Sequence, residues 1–229
     1  MKAHQSRHIL AIDIGGTQVK LRVSNRHSVQ QFDSSPTMTP VELLARIRRL
    51  VKDWTFDRVA LGFPGMVVDG RIVSEPVNLG SGWVGFDFAK RLDRPVRVMN
   101  DAVMQALGGY AGGRMLFLGF GTALGAVAIL EGRIHPMELA HLPFSKRGSI
   151  QHYVGGEALQ RLGPQRWSKN AKTIMRHFSD ILDVHYLVVS GGNACRIRAL
   201  PRNVRLGDNG LAFIGGFRAW RRSPGRAGL

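Results

Sequence analysis

Two short segments of the chain share one local design. In Asp13-Ile14-Gly15-Gly16-Thr17 and in Gly119-Phe120-Gly121-Thr122, an apolar run leads into glycines and then a threonine. Glycines in such a turn let backbone N–H groups approach an anion, at positive φ without steric cost, and the threonine hydroxyl can donate to a phosphate oxygen. Asp13 adds a carboxylate able to hold magnesium through water, and Lys20 a cation for further charge. Either turn alone reads equally well as a tight hairpin. Two of them at the starts of matching units point to phosphate. Neither is a Walker A loop, and neither opens a helix with the dinucleotide-binding glycine pattern.

Asn100-Asp101 offers what a phosphoryl transfer to a hydroxyl requires. It follows an apolar run, Val96 to Met99, and precedes a helical segment. The pair therefore stands at the C-terminal mouth of a strand, where open α/β sheets bind ligands. A carboxylate there can take the proton of an attacking hydroxyl, and an Asn-Asp helix cap gives the same spacing. Glu138 and His141, three residues apart, place an acceptor and a donor/acceptor on one side of a turn, a set suited to vicinal hydroxyls or to a surface ion pair. Glu157, after Gly155-Gly156, suits a hydroxyl contact or the start of a helix.

The elements that must position these residues follow from periodicity. Ile9 to Ile14 reads as a strand, and Val19, Leu21 and Val23 alternate with Lys20 and Arg22 as a half-exposed partner would. Thr39-Pro40-Val41-Glu42 is a capping box with proline at the first helical position, and it predicts a helix with Val41, Leu44, Ile47, Leu50 and Trp54 on one face. Further strands are expected over Arg58 to Phe63, Val96 to Met99, Met115 to Leu118, Ala126 to Leu130, Tyr186 to Val189 and Val204 to Leu206. Helices are expected after Gly85, from Asp101 through Leu107, and from about Leu211 to Arg222. Strands separated by helices indicate an α/β fold, and the two halves open alike with strand, glycine turn and strand. No low-complexity linker divides the chain, so the boundary is placed at a hinge near Asn100.

Composition narrows the function classes. With 229 residues and 44% hydrophobic content the chain can bury a substantial core. One cysteine, Cys195, excludes an internal disulfide, and no Cys/His spacing suits zinc. The polar, basic start and the interruption at Asp13 fit neither a signal peptide nor a membrane span, so a cytoplasmic protein without a membrane partner is expected. A formal charge of +16 attracts polyanions, or reflects an arginine-rich composition spread over a solvated face. With no zinc finger, basic zipper or helix-turn-helix ahead of Ile9, nucleic acid is not the expected partner.

Taken in order, Asp13 to Thr17 with Lys20, Pro64-Gly65, Asn100-Asp101, Gly119 to Gly125, Glu138 with His141, and Gly191-Gly192 resemble the ROK sugar kinases. The tail, Ser190 to Asn193 followed by Asn203 to Leu206, Asn209, Gly215-Gly216 and Trp220, is most similar to the polyphosphate glucokinases of that family. The resemblance implies a two-lobed actin/hexokinase-like ATPase fold of ribonuclease H-like repeats. Its small lobe would be residues 1–100 with the C-terminal helix 211–229, and its larger lobe residues 101–210. It further implies phosphorylation of the 6-hydroxyl of glucose or a related hexose by polyphosphate or ATP with magnesium, in a homodimer. Asp101 would be the general base, with Gly65, Asn78, Asn100, Glu138, His141 and Glu157 on the sugar. Asp13, Gly15, Gly16, Thr17, Lys20, Gly119, Gly121, Thr122, Gly191 and Gly192 would hold the donor, Asp13 carrying magnesium through water. The family's cysteine-rich zinc motif is missing, as in the polyphosphate branch. Ala140 stands where the family has glycine, the second loop carries bulkier residues, and Leu142 to Lys172 is short. These departures leave open a catalytically weakened, sugar-sensing or regulatory protein.

Overall fold

Strand β1 (Ile9–Ile14) is buried except at Asp13, and β2 (Gln18–Val23) alternates buried Val19, Leu21 and Val23 with half-buried Gln18, Lys20 and Arg22. The first is a central strand and the second has one face in the core, as their sequences require. The computed structural model describes residues 8–145, 148–208 and 210–221. They fall into two compact units, residues 8–108 with 212–221, and residues 109–211.

The first unit continues with β3 (Gln30–Asp33), α1 (Pro40–Leu50), β4 (Arg58–Phe63), a small hairpin of β5 (Val67–Val68) and β6 (Arg71–Ile72), α2 (Phe88–Leu92), β7 (Val96–Asn100) and α3 (Asp101–Gly109). Its sheet has the order β3-β2-β1-β4-β7, with β1, β4 and β7 parallel and the other pairs antiparallel. Leu10, Ile12, Leu21, Leu43, Ile47 and Trp83 form its core.

The second unit contains β8 (Arg114–Phe120), β9 (Leu124–Leu130), β10 (Arg133–Met137), a 3-10 turn Leu139–His141, a hairpin of β11 (Pro143–Ser145) and β12 (Gly148–Ser149), α4 (Ile150–Val154), α5 (Gly156–Leu182), β13 (Tyr186–Ser190), a second 3-10 turn Ala194–Arg196 and β14 (Val204–Leu206). The sheet order is β10-β9-β8-β13-β14, with β8, β13 and β14 parallel. Strand for strand this repeats the first unit, so the fold is a duplicated α/β unit. Trp167 of α5 packs edge-on against Phe120, ring centroids 5.5 Å apart, and donates its indole N–H to the Val154 carbonyl. The long helix is broken at Gly163 (φ 74°, ψ 162°), because Pro164 lacks an N–H and disfavours helical geometry in the residue before it.

Three expectations are corrected. Helix α1 has the capping box and the first-position proline, but its buried stripe is Pro40, Leu43, Leu44 and Ile47. Val41 is 60% exposed, and Trp54 lies beyond the helix end. The division falls after Gly108 rather than at Asn100, because α3 is packed into the first unit. Met104 lies over Gly62 of β4, and α6 (Gly210–Ala219) brings Gly215 against the Met104 carbonyl. Arg218 then donates to the carbonyls of Leu107 and Gly108, both at 2.8 Å. The last helix stops at Ala219 rather than Arg222; Asn209 and residues 222–229 lie outside the described residues.

Candidate functional site

In the first unit, register aligns the acidic residues. Asp13 on β1 faces Gly62 on β4, Gly62 faces Met99 on β7, and Asn100 ends that strand. Asp13 and the Asn100-Asp101 junction therefore share the C-terminal edge of the parallel strands. Gly62 matters here. A Cβ on it would stand 2.7 Å from the Met104 methyl and 3.5 Å from the Asp101 Cα, so its bare backbone admits the start of α3.

The Asn-Asp pair divides its roles. Asn100 Oδ1 accepts from the N–H groups of Ala102 (3.0 Å) and Val103 (3.3 Å), capping α3, while its Nδ2 donates to the Gly65 carbonyl at 3.1 Å. Asp101 Oδ1 accepts the adjacent Ala102 N–H at 2.9 Å. Burial, and secondarily the charge of Asp13, push the Asp101 carboxyl up from 3.8 to about 7 against hydrogen bonds from Ala102, its own N–H and Asn100. Burial likewise raises Asp13 from 3.8 to about 6, opposed by Lys20, its cross-strand neighbour on β2.

The first glycine turn is oriented by a residue the sequence reading did not single out. Ser34 donates its hydroxyl to the Gly15 carbonyl (3.0 Å) and its N–H to the Thr17 carbonyl (3.0 Å). With Gly15 N–H bound to the Gln18 carbonyl at 2.9 Å, the N–H groups of Gly16 and Thr17 have no acceptor among the described residues. Asn78 rests against Gly16, its amide nitrogen 3.5 Å from where a Cβ would stand. Its loop is closed by Glu75, whose carboxylate accepts from the N–H groups of Trp83 and Val84, both at 3.2 Å.

In the second unit the Gly121-Thr122-Ala123 turn between β8 and β9 is held from two sides. The Phe120 and Gly121 carbonyls accept from the backbone N–H (2.9 Å) and side-chain amide (3.1 Å) of Asn193. The Thr122 carbonyl accepts from Gln151 Nε2 (3.0 Å) and Gly156 N–H (3.1 Å), and Gln151 Oε1 accepts from Leu124 N–H (2.9 Å). The Ala123 carbonyl takes Gly121 N–H at 3.3 Å. Every carbonyl from Phe120 to Ala123 is thus engaged, and the N–H groups of exposed Thr122 and Ala123 have no acceptor among the described residues, an arrangement that can meet an anion.

Of the other candidates, Glu138 precedes the 3-10 turn that ends at His141, and both side chains are exposed, as is Glu157 in the first turn of α5. Gly156 lies against Thr122, which sets Glu157 next to the second glycine turn. The glycines differ from expectation. Gly15, Gly16, Gly65, Gly119, Gly121 and Gly192 are not at positive φ; Gly191 is, at 93°. A Cβ on Gly191 would lie 2.5 Å from the Phe120 carbonyl oxygen, so close approach and not φ alone demands glycine there. Ala140 sits buried in the 3-10 turn without positive φ, so the added methyl is accommodated.

Among the described residues no three His, Cys, Asp or Glu side chains gather as a metal set. Magnesium asks less, since one or two carboxylates with waters and phosphate oxygens suffice. Asp13, whose charge helps push the Asp101 carboxyl up, offers such a carboxylate. No helix among the described residues is long and apolar enough to cross a membrane.

A model of the ROK family matches residues 9–136. The sequence finds no match among curated proteins. In structure the chain is similar to the inorganic polyphosphate/ATP-glucomannokinase from Arthrobacter sp. strain KM, with TM-score 0.78 and 22% identity over 94% of this chain and 100% of that one. It is also similar to a ROK family glucokinase from Streptomyces griseus in complex with glucose and AMPPNP, with TM-score 0.76 and 16% identity over 94% and 100% of the two chains. A ROK family transcriptional regulator, homolog of the E. coli MLC protein, shares the fold with TM-score 0.71 and 14% identity over 93% of this chain and 77% of that one.

Proposed function

The chain belongs to the ROK family and has the actin/hexokinase-like fold of its sugar kinases, and on that premise we propose that it phosphorylates the 6-hydroxyl of glucose or a related hexose. The observation that carries this reading is the carboxyl of Asp101. It follows the end of a parallel strand, beside Asn100, which accepts from the Ala102 and Val103 N–H groups, and it is raised to about 7. A base of that strength operates well near neutral pH.

In the reaction the hexose oxygen bonds to the terminal phosphorus of the donor as the bond from that phosphorus to its bridging oxygen breaks. The hydroxyl proton passes to Asp101, and the shortened donor leaves with the bridging electrons. The first and second glycine turns offer N–H groups to the donor phosphates, with Thr17, Thr122 and Lys20 adding hydroxyls and a charge. Gly191-Gly192 holds the outer part of the donor. Asn78, Asn100, Glu138, His141, Glu157 and the Gly65 backbone bind sugar hydroxyls. Asp13 would hold magnesium through water, and the ion would supply charge neutralisation to the phosphates. ATP and inorganic polyphosphate are both proposed as donors, in a cytoplasmic homodimer. The glucomannokinase named for both donors and the +16 charge support the second.

A sugar-sensing protein without useful turnover is the second reading, favoured by the regulator that shares the fold. A coupled assay with a panel of hexoses, magnesium and each donor separates the two. The kinase reading expects hexose phosphate; hexose-dependent thermal stabilisation without product would transfer the assignment to the sensor.

A further inference from the structure

We propose that Gln151 is a positioning residue that turns the second glycine turn toward the phosphate donor; the inference rests on the sugar-kinase reading above. A turn binds an anion only if its carbonyl oxygens face elsewhere, since a single misdirected carbonyl places a negative dipole against the phosphate. In Gly121-Thr122-Ala123 that orientation is imposed from outside. Gln151 presents its primary amide as a neighbouring strand would present a peptide, donating from Nε2 to the Thr122 carbonyl and accepting at Oε1 from Leu124 N–H. One side chain thereby fixes the middle of the turn and the residue that follows it, while Asn193 holds Phe120 and Gly121 where the turn begins.

The place is built for this side chain. A Cβ on Gly155 would collide with the Gln151 amide, so the glycine leaves room for the clamp. The helix carrying it, α4, is anchored in the core by Ile150 and Val154, and the Val154 carbonyl is held by the buried indole of Trp167. Gly156 N–H reaches the same Thr122 carbonyl, so loss of Gln151 leaves that oxygen one partner and the turn most of its shape. What is lost is the acceptor for Leu124 N–H and the second restraint on the direction of the turn.

The chemistry separates two variants. Gln151→Glu keeps the size but sets a carboxylate oxygen against the Thr122 carbonyl and adds negative charge beside the donor. Gln151→Ala removes both bonds without adding charge. The expected result is a rise of about tenfold in the donor KM for Gln151→Ala and a larger one for Gln151→Glu, with the hexose KM unchanged. Thermal shifts provide a readout independent of turnover. In both variants the rise in Tm with glucose persists, while the rise with magnesium and AMP-PNP, or with tripolyphosphate, shrinks. A donor KM equal to wild type overturns the inference and leaves the kinase reading intact. Joint loss of glucose and donor responses in both variants also overturns it, since that marks Gln151 as scaffold. A wild-type protein inert toward hexose and donor alike overturns both.

Discussion

Asp101 carries a carboxyl at about 7 where a free aspartate stands at 3.8, and the direction of that shift has two measurable consequences. As a base it must be ionised, so kcat/KM should rise with pH through an apparent value near 7 and then level off. As a buried acid it binds its proton more tightly folded than unfolded. The stability it contributes is therefore complete below about 3.8 and is lost as pH rises through about 7. Asp101→Asn should cut turnover at least about 100-fold yet make the protein more stable at pH 8, by on the order of a few kcal/mol, with no such gain at pH 4. A variant that is inactive because it is destabilised would remove the base assignment, and denaturant melts beside initial rates decide it. The strand-to-helix junction made the pair legible in the sequence. That Asn100 supplies the cap reaching Val103 was not legible, because an asparagine and an aspartate suit that role equally at that spacing. Ser34, Gln151 and Glu75 gave no signal at all: Ser34 and Gln151 are lone polar residues whose partners lie on the backbone of a distant turn, and Glu75 bonds backbone amides across its own irregular loop, where no periodicity marks the pairing.

At the scale of elements, the loop after β13 shows how a glycine can serve a neighbouring turn. Gly191, at φ 93°, passes so close to Phe120 that the next residues reach β8, and Asn193 then holds the Phe120 and Gly121 carbonyls. Gly191→Ala should destabilise the protein by roughly 2 kcal/mol, from strained φ and from collision with the Phe120 backbone, and should weaken donor binding with hexose binding retained. Gly192 has no heavy atom of the protein within 4 Å of a built Cβ, so Gly192→Ala should stay within about 0.5 kcal/mol of wild type. Equal destabilisation by the two in urea melts would refute this account. Strands were the most legible elements, because buried strands announce themselves as apolar runs such as Leu187-Val188-Val189, and the matching start of each half marked the repeat. The glycine turns were recognised while their backbone geometry was not, since composition allows positive φ without requiring it. The stripe on α1 was misread because Val41 is apolar yet exposed, while Pro40 and Leu43 join Leu44 and Ile47 in the core and Leu50 packs against it only in part.

Over the whole molecule the excess of 32 Lys and Arg over 16 Asp and Glu is left largely uncompensated. Among the described residues the ion pairs are Arg94 with Asp93 and Arg114 with Asp183, and both acids are exposed. Acidic side chains are instead committed to backbone amides: Glu42 to Thr39, Glu75 to Trp83 and Val84, Asp87 to Lys90, Asp208 to Gly210. Arginines meanwhile lie over rings, Arg58 and Arg97 on Trp220, Arg46 on Phe32 and Arg26 on Trp54, contacts that keep the full cationic charge. The resulting field acts on a donor in proportion to the number of phosphates it presents. ATP brings three, whereas a long polyphosphate can follow the surface and displace counterions at several more. Each phosphate neutralised adds about 0.7 to 0.9 to the slope of log affinity against log salt. Three extra contacts would therefore make a fourfold rise in salt cost the polyphosphate reaction roughly 20- to 40-fold more in kcat/KM than the ATP reaction. Parallel measurements with the two donors at about 50 and 200 mM salt test this. Coincident curves would confine donor recognition to the glycine turns and deprive the surface charge of any part in it.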